Sequence, residues 1–194
     1  MEELPGNLNL HVSLLEPSQD ACYSKALNKV FVRKNAKVNF QMKIHCNKED
    51  SLPGNLAIRA MAIFTHPEHL SLPVKVCVKH SKRESEQIDT HSERFILCEA
   101  PDSIITYETQ QHMSVLCSWP QNKKEAGMVL RFMDFQSCPG GLNSRSTSLL
   151  LSLECQDLVI SRKVFKLQVC SCPASSLARE ECEKQQQIWK CPQE

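Results

Sequence analysis

Four side chains that can bind a metal lie in two short segments far apart in the sequence. Cys77 and His80 are separated by two residues, and Asp134 and Cys138 precede a Pro-Gly-Gly turn at residues 139–141. Zinc accepts thiolate, imidazole and carboxylate ligands in four-coordinate sites. One ion bound to all four would join the two segments. Spacing alone leaves a second interpretation open, because a cysteine is often a small buried hydrophobic residue.

Two other chemical interpretations deserve comparison. His66, Glu68 and His69 can ligate a metal, but a proline between them and their short spacing favour an ordinary surface loop. Cys77 and His80 can form a nucleophilic pair only if they bind no zinc. The chain has no Gly-x-Ser-x-Gly motif, no phosphate-binding loop and no acidic pair in a catalytic context, so we do not expect an enzyme.

Composition narrows the class of protein. The 194 residues include 23 basic and 22 acidic ones, so no overall positive charge indicates nucleic acid. Eleven cysteines, an odd number, occur without an N-terminal apolar signal segment or an Asn-x-Ser/Thr sequence. This combination favours a reducing compartment, with cysteines as core residues or metal ligands. No apolar run is long enough to span a membrane, and nothing indicates a small-molecule substrate.

The elements that must position the four ligands have a β pattern. Residues 133–145 lie between two apolar runs, which predicts a long loop joining two strands. Apolar and polar residues alternate with a period of two in the clearest strand, residues 38–46. Other predicted strands lie at residues 8–15, 56–64, 95–98, 104–107, 113–119, 147–154 and 163–172.

Four segments have patterns other than a simple period of two. Helix competes with strand at residues 56–64, because alanine and methionine favour helix. Residues 81–94 are charged without an apolar period, which predicts an exposed loop, and residues 120–126 predict a turn. A helix is predicted from about Leu177 and fades by Trp189. The predicted core comprises Val38, Phe40, Met42, Ile44, Ile63, Val115, Cys117, Phe165, Leu167 and Val169.

These elements predict an all-β protein. Eight or nine strands and one C-terminal α-helix, with long loops, fit an antiparallel β-sandwich that carries functional loops at one end. Residues 1–20 are expected to be an extended segment leading into the first strand. Residues 21–188 are expected to form the sandwich with its final helix, and residues 189–194 a tail.

Several blocks resemble the p53 family of tumour-suppressor transcription factors. Residues 59–64, Arg-Ala-Met-Ala-Ile-Phe, resemble the family's Arg-Ala-Met-Ala-Ile-Tyr strand, and the Cys-x-x-His pair follows without gaps. Residues 138–143 resemble its Cys-Met-Gly-Gly-Met-Asn loop, and residues 169–173 resemble its Val-Cys-Ala-Cys-Pro. A fourth block lies at residues 23–29. The likeness covers about residues 8–188, nearly the whole chain.

The resemblance implies an immunoglobulin-like β-sandwich that binds one Zn²⁺ and double-stranded DNA. When the family's ligand positions are transferred to this sequence, the metal ligands are Cys77, His80, Asp134 and Cys138. The family has cysteine where this chain has Asp134. A carboxylate still ligates zinc, but it makes a harder and weaker site than three thiolates do.

At the positions that contact DNA in the family, this chain differs from the family more than it does at the metal ligands. Ser144, Gln168 and Ser175 replace family arginines that contact the minor groove, a phosphate and a guanine. The lysine of the family's first loop aligns near Pro17, in a segment without basic residues. Arg145 matches an arginine that braces the loops. The full set of expected DNA-contact positions is Ser137, Ser144, Arg145, Gln168, Ser171, Cys172, Ser175 and Arg179, with Lys163 and Lys166 as possible helpers.

Two functions follow from the resemblance. The first is a sequence-specific DNA-binding transcription factor that regulates RNA polymerase II transcription in stress responses and apoptosis, in the nucleus and cytoplasm. It is expected to self-associate or to bind other transcription regulators. The alternative is a protein-interaction or dominant-negative relative with weakened or lost DNA binding, since much of the charge-driven affinity is missing.

Overall fold

The computed structural model describes residues 2–15, 18–45, 54–84, 93–100, 104–109 and 112–190. The described helices are α1 (Val78–Glu84) and α2 (Pro173–Lys190), and none in these ranges is both long and apolar enough to cross a bilayer. The strands are β1 (His11–Leu14), β2 (Ala21–Ser24), β3 (Lys29–Arg33), β4 (Val38–Lys43), β5 (Leu56–Phe64), β6 (Ile96–Glu99), β7 (Ile105–Thr109), β8 (Met113–Ser118), β9 (Glu125–Phe132), β10 (Thr147–Cys155) and β11 (Leu158–Cys170).

The strands form two sheets that pack as a sandwich, which confirms the predicted fold class. One sheet has the order β1-β4-β9-β6, and the other has the order β2-β3-β11-β10-β5-β8-β7. All pairs are antiparallel except β3 with β11, which run parallel. That parallel pair places the ends of β3 and β11 side by side, next to the start of α2.

The hydrophobic core lies between the sheets and follows the period-two pattern. All ten predicted core residues are buried, with at most 6% of any one exposed. Nine of them join the central cluster, but Ile63 does not. Ile63 is one residue out of phase with Ala62 and Phe64, which do belong to that cluster. It is therefore buried on the other side of β5.

Residues 56–64 form a strand, because β5 lies between two partners. It pairs with β10 along its whole length and with β8 on its other side. Arg59 projects from it and donates hydrogen bonds from Nε and Nη2 to Glu154 at 2.7 and 2.9 Å. Its Nη1 also pairs with Glu108. These ion pairs join β5 to β10 and β7, so strand pairing outweighs the helix propensity of alanine and methionine.

Several predicted boundaries were wrong. The segment predicted as a loop from residue 81 begins inside α1, where the Ser81 amide donates to the Cys77 carbonyl at 2.9 Å. Residues 85–92 lie outside the described residues. Strand β9 starts at Glu125, inside the predicted turn. Strand β11 starts at Leu158, five residues before the prediction, and ends at Cys170.

Helix α2 begins at Pro173, earlier than the predicted start near Leu177. Proline suits the first helical position, because its missing amide hydrogen would have no partner there. The Ser176 amide donates to the Cys172 carbonyl at 3.0 Å and closes the first turn. Pro17, Cys46 and residues 191–194 of the tail lie outside the described residues.

Replacing Phe40 tests the packed core. Its side chain is fully buried on β4, so Phe40→Ala should lower the free energy of unfolding by about 3–5 kcal/mol. The exposed neighbour provides a control, since Asn39→Ala should change it by less than about 0.5 kcal/mol. Chemical denaturation measures both. A loss below about 1 kcal/mol for Phe40→Ala would show that this side chain is not in a packed core.

Candidate metal centre and nucleic-acid interface

The structure brings the four predicted metal ligands together. The His80 Nδ1 atom lies 3.2 Å from Cys77 Sγ, 3.3 Å from Cys138 Sγ and 2.7 Å from Asp134 Oδ1. The two sulfur atoms are 3.6 Å apart. All four ligand atoms lie within 4.8 Å of one another.

Two different local structures supply these side chains. Cys77 immediately precedes α1, and the first turn of that helix places His80 beside it, with the His80 amide 3.1 Å from the Cys77 carbonyl. Asp134 and Cys138 lie on the loop that follows β9. The Asn143 amide donates to the Cys138 carbonyl at 2.9 Å, which folds that loop back on itself.

The two oxygens of Asp134 have different partners. Oδ2 accepts a hydrogen bond from the Cys77 backbone amide at 2.7 Å. Oδ1 faces His80 and also accepts from the Phe135 amide at 2.9 Å. Asp134 is completely buried. A charged group without solvent needs such partners, so this carboxylate is part of the loop structure as well as a potential ligand.

Gly141 gives Asp134 the space that it needs. A Cβ atom on Gly141 would lie 2.3 Å from Asp134 Oδ2 and 3.1 Å from both Cys77 Cβ and Cys77 N. Any larger residue would therefore push the two loops apart. The second glycine of the turn is required by close approach of the loops.

The donor set fits zinc. Tetrahedral zinc with sulfur, nitrogen and oxygen ligands has ligand–ligand distances of about 3.3–3.8 Å. The sulfur–sulfur and sulfur–nitrogen distances here are 3.2–3.6 Å, and only the nitrogen–oxygen distance, 2.7 Å, is clearly shorter. The same His80 nitrogen faces both thiols and the carboxylate. A catalytic Cys–His–Asp arrangement uses both ring nitrogens, so this geometry does not favour the nucleophilic pair.

Electrostatics at the site also favour a cation. Burial acts to raise the pKa of Asp134, but hydrogen bonds from Cys138, the Cys77 amide and His80 outweigh it and lower that pKa. Burial raises the pKa of the Cys138 thiol to about 12, together with the neighbouring Asp134 and Cys77. A divalent ion offsets this crowding of negative groups and lets thiols bind as thiolates.

The loop that carries Asp134 and Cys138 is attached to the end of β11. The Gln136 amide donates to the Val169 carbonyl at 2.9 Å, and the Ser144 amide donates to the Gln136 carbonyl at 2.6 Å. The loop, the end of β11 and the start of α2 therefore form one continuous surface. We call it the loop–helix face. It carries the predicted positions that are exposed, Ser137, Ser144, Ser171, Cys172, Ser175 and Arg179, and the half-buried Arg145 and Gln168.

Arg145 has the position of a bracing residue. Its guanidinium carbon lies 4.9 Å from the centre of the Phe64 ring, which is a cation–π contact. Its carbonyl accepts hydrogen bonds from the Gln136 side chain and, at 3.1 Å, from Thr147 Oγ1. The Phe64 ring also packs edge-to-face with the His69 ring, and the two ring centroids are 6.3 Å apart.

The remaining basic residues near α2 are partly neutralised. Arg179 lies 3.9 Å from Glu183 on the same helix, and Lys163 lies 3.6 Å from Glu3 of the N-terminal segment. Lys166 and Arg179 line a shallow groove along α2. Of these two lysines, Lys166 is the more available for a contact with DNA, because Lys163 pairs with the N-terminal segment.

Sequence reasoning missed one basic residue beside the loop. Lys34 Nζ lies 5.9 Å from the centre of the Phe135 ring, although Lys34 is distant from the loop in sequence. The parallel pairing of β3 with β11 brings it there. Composition and periodicity contain no signal for that pairing, so only a correct topology could have identified this residue.

Comparison with known proteins agrees with the fold and the site. The P53 DNA-binding domain family matches residues 1–184. Cellular tumor antigen p53 from Tetraodon miurus is 31% identical over 172 residues, covering 84% of this chain and 44% of that protein. The protein of the same name from Oryzias latipes is 28% identical over 192 residues, covering 94% of this chain and 53% of its own length.

A third relative, cellular tumor antigen p53 from Xenopus laevis, is 28% identical over 167 residues, covering 82% of this chain and 45% of its own length. The chain thus spans about half the length of the curated relatives it matches. Its two-sheet sandwich, the four clustered ligands and a family match over residues 1–184 agree with one another. The chain belongs to the P53 DNA-binding domain family, as a divergent member.

Proposed function

We propose that this chain is a zinc-binding domain that contacts double-stranded DNA and serves a transcription regulator of the p53 type. The observation that carries the proposal is the hydrogen bond between Gln136 and Val169, which joins the metal-ligand loop to the strand end and helix expected to face DNA. Regulation of RNA polymerase II transcription in stress and apoptosis, with nuclear and cytoplasmic location, belongs to the same proposal.

The metal has a structural role in this proposal. Cys77, His80, Asp134 and Cys138 would hold one zinc ion. When bound, the ion cross-links the residues around α1 to the loop after β9 and neutralises their buried negative charge. The protein residues then orient the loop–helix face. No catalytic step is assigned to the site.

Electrostatics predict weak binding of DNA by the isolated chain. Phosphate contacts by lysine and arginine release counterions, and that release supplies most non-specific affinity. On the loop–helix face, Arg145 stacks on Phe64 and Arg179 lies near Glu183. Lys34 and Lys166 add charge at its margins. Self-association or a partner regulator would raise the affinity through a second contact.

One observation favours a second function. Ser144, Gln168 and Ser175 occur at three positions where the family resemblance expects arginine. Ser144 and Ser175 are exposed, so the loop–helix face presents small polar side chains. Such a surface suits a protein-interaction or dominant-negative role better than strong DNA binding.

Metal content tests the proposed zinc site. Protein purified without chelator should contain about one zinc per chain. Cys77→Ser should lose most of it, because a hydroxyl is a poor zinc ligand. Cys182→Ser is the control, since Cys182 is exposed on α2, and it should keep the metal. Elemental analysis and chelator competition measure both. A folded chain with ordered loops that takes up no zinc on reconstitution would contradict the site.

The salt dependence of DNA binding tests the proposed interface. The slope of log K against log salt should be shallow, about −1 to −3, because few cations remain on the loop–helix face. Replacing Ser144, Gln168 and Ser175 with arginine should steepen the slope by about 2–3 and tighten binding. Fluorescence anisotropy on duplex DNA at several salt concentrations measures this.

A matched control adds the same charge elsewhere. His11, Asn39 and Thr106 are exposed residues on β1, β4 and β7. Arginine at these three positions should tighten binding less than the arginines on the loop–helix face. Nanomolar binding with a steep slope by the unmodified chain would contradict the charge argument. Absence of binding by the loop–helix variant would favour the protein-interaction function.

A further inference from the structure

We propose that Asp134 is a positioning residue that joins the two loops through hydrogen bonds, whether or not metal is bound. This inference builds on the proposed metal site, but the hydrogen bonds themselves need no ion. Its consequence is that the loop after β9 keeps its place beside Cys77 in the metal-free chain.

The two oxygens of the Asp134 carboxylate have separate partners. Oδ1 faces His80, while Oδ2 accepts the Cys77 amide at 2.7 Å. Cys77 is 2% exposed and Asp134 is 0% exposed, so water cannot replace this bond. A buried amide without an acceptor is strongly destabilising, and bonds to a charged acceptor are among the stronger ones in proteins.

Little space surrounds the hydrogen bond between Asp134 and the Cys77 amide. Gly141 passes so close that an added Cβ would lie 2.3 Å from Oδ2. The Phe135 amide, 2.9 Å from Oδ1, holds the other side of the carboxylate. The carboxylate is therefore fixed by the segment before α1, by its own loop and by the glycine turn. An ion would add to this arrangement without creating it.

Cysteine at position 134 would differ from aspartate both in zinc affinity and in its hydrogen bond to the Cys77 amide. A thiolate offers one sulfur atom, which would bind zinc and is a weaker hydrogen-bond acceptor than a carboxylate oxygen. A carboxylate offers two atoms, so one oxygen can face the metal while the other accepts the Cys77 amide. We therefore expect weaker zinc binding than in a three-thiolate site, together with loops that depend less on zinc.

Three substitutions separate the two roles. Asp134→Asn keeps an oxygen for the Cys77 amide and is a poor zinc ligand. Its NH₂ group takes the place of Oδ1 beside His80, so the hydrogen bond from the Phe135 amide is lost. Asp134→Cys is a good zinc ligand without the second acceptor atom. Asp134→Ala removes both functions.

Amide hydrogen exchange at Cys77, followed by NMR in the chelator-treated 194-residue chain, is the main readout. Wild type and Asp134→Asn should protect this amide, whereas Asp134→Ala and Asp134→Cys should exchange about 10–100-fold faster. Protection of Leu151 in the core of β10 should stay constant and shows that each variant is folded. Chelator competition should rank zinc affinity as Asp134→Cys above wild type and wild type above Asp134→Asn.

The outcomes distinguish this inference from the proposed function. If metal-free wild type exchanges the Cys77 amide as fast as Asp134→Ala, the inference is overturned. If no variant binds zinc but wild type and Asp134→Asn still protect the amide, the inference stands and the metal proposal fails.

A second inference rests on a separate observation in the core. Cys98 on β6 and Cys117 on β8 belong to different sheets, and their sulfur atoms are 3.5 Å apart. Both residues are buried. We infer that this pair is a site of oxidation that forms a disulfide between the sheets. The sulfur atoms must approach by about 1.5 Å, and inter-sheet disulfides occur in other β-sandwiches.

The oxidant in this step is hydrogen peroxide. The two thiols of Cys98 and Cys117 lose two protons and two electrons, one sulfur–sulfur bond forms, and hydrogen peroxide becomes two waters. The reaction is slowed by burial. The resulting bond would close a loop of about 20 residues and cross-link the sandwich at its centre.

Peptide mass spectrometry tests this site. Zinc-supplemented chain treated with hydrogen peroxide and digested without reduction should yield a cross-linked peptide that contains Cys98 and Cys117. Cys98→Val, which keeps an apolar side chain, should abolish that peptide. Complete oxidation of the exposed Cys172 and Cys182 with no such cross-link would overturn the inference.

Discussion

The hydrogen bond from the Cys77 amide to the buried carboxylate of Asp134 is the contact on which the arrangement of the candidate metal site depends. It joins the segment before α1 to the loop after β9, two parts of the chain that the sandwich alone does not connect. His80 and Cys138 then converge on the same point. The glycine turn must pass close to the carboxylate, which explains why the loop has its particular fold. The loop in turn bonds to the end of β11 and places the loop–helix face.

The sandwich supports this end with both packing and charge. Phe40, Leu130 and Leu149 are among the fully buried side chains between the sheets. Helix α2 is attached by the ion pair of Lys29 with Glu180 at 2.8 Å and by the hydrogen bond of Ser24 to Glu181 at 2.5 Å. These contacts use charge to fix the helix. On the loop–helix face, Arg179 lies 3.9 Å from Glu183, so the proposed interface would attract DNA only weakly.

Local pattern predicted much of the fold, since the alternation in β4, β8 and β11 follows directly from a sheet with one face in the core. Features that depend on contacts between distant parts of the chain could not be predicted. The parallel pairing of β3 with β11 depends on the order of the whole sheet, and it determines where Lys34 lies. Helix α1 is a short charged segment without an apolar period. Its backbone bonds to Cys77, so its position follows from the ligand cluster.

The candidate site likewise has one part that the sequence predicted and one that it could not predict. Residue types and the family resemblance indicated four candidate ligands, and the structure brings these side chains together. The second role of Asp134 was not predictable, because no sequence pattern indicates which backbone amide a carboxylate oxygen will meet.

X-ray absorption at the zinc edge of the metal-loaded chain tests the central claim most directly. We expect two sulfur atoms at about 2.3 Å and two nitrogen or oxygen atoms at about 2.0 Å from the ion. Three or four sulfur atoms would show that other cysteines bind the metal. A set of ligands without sulfur would show that the two loops are not joined through this ion.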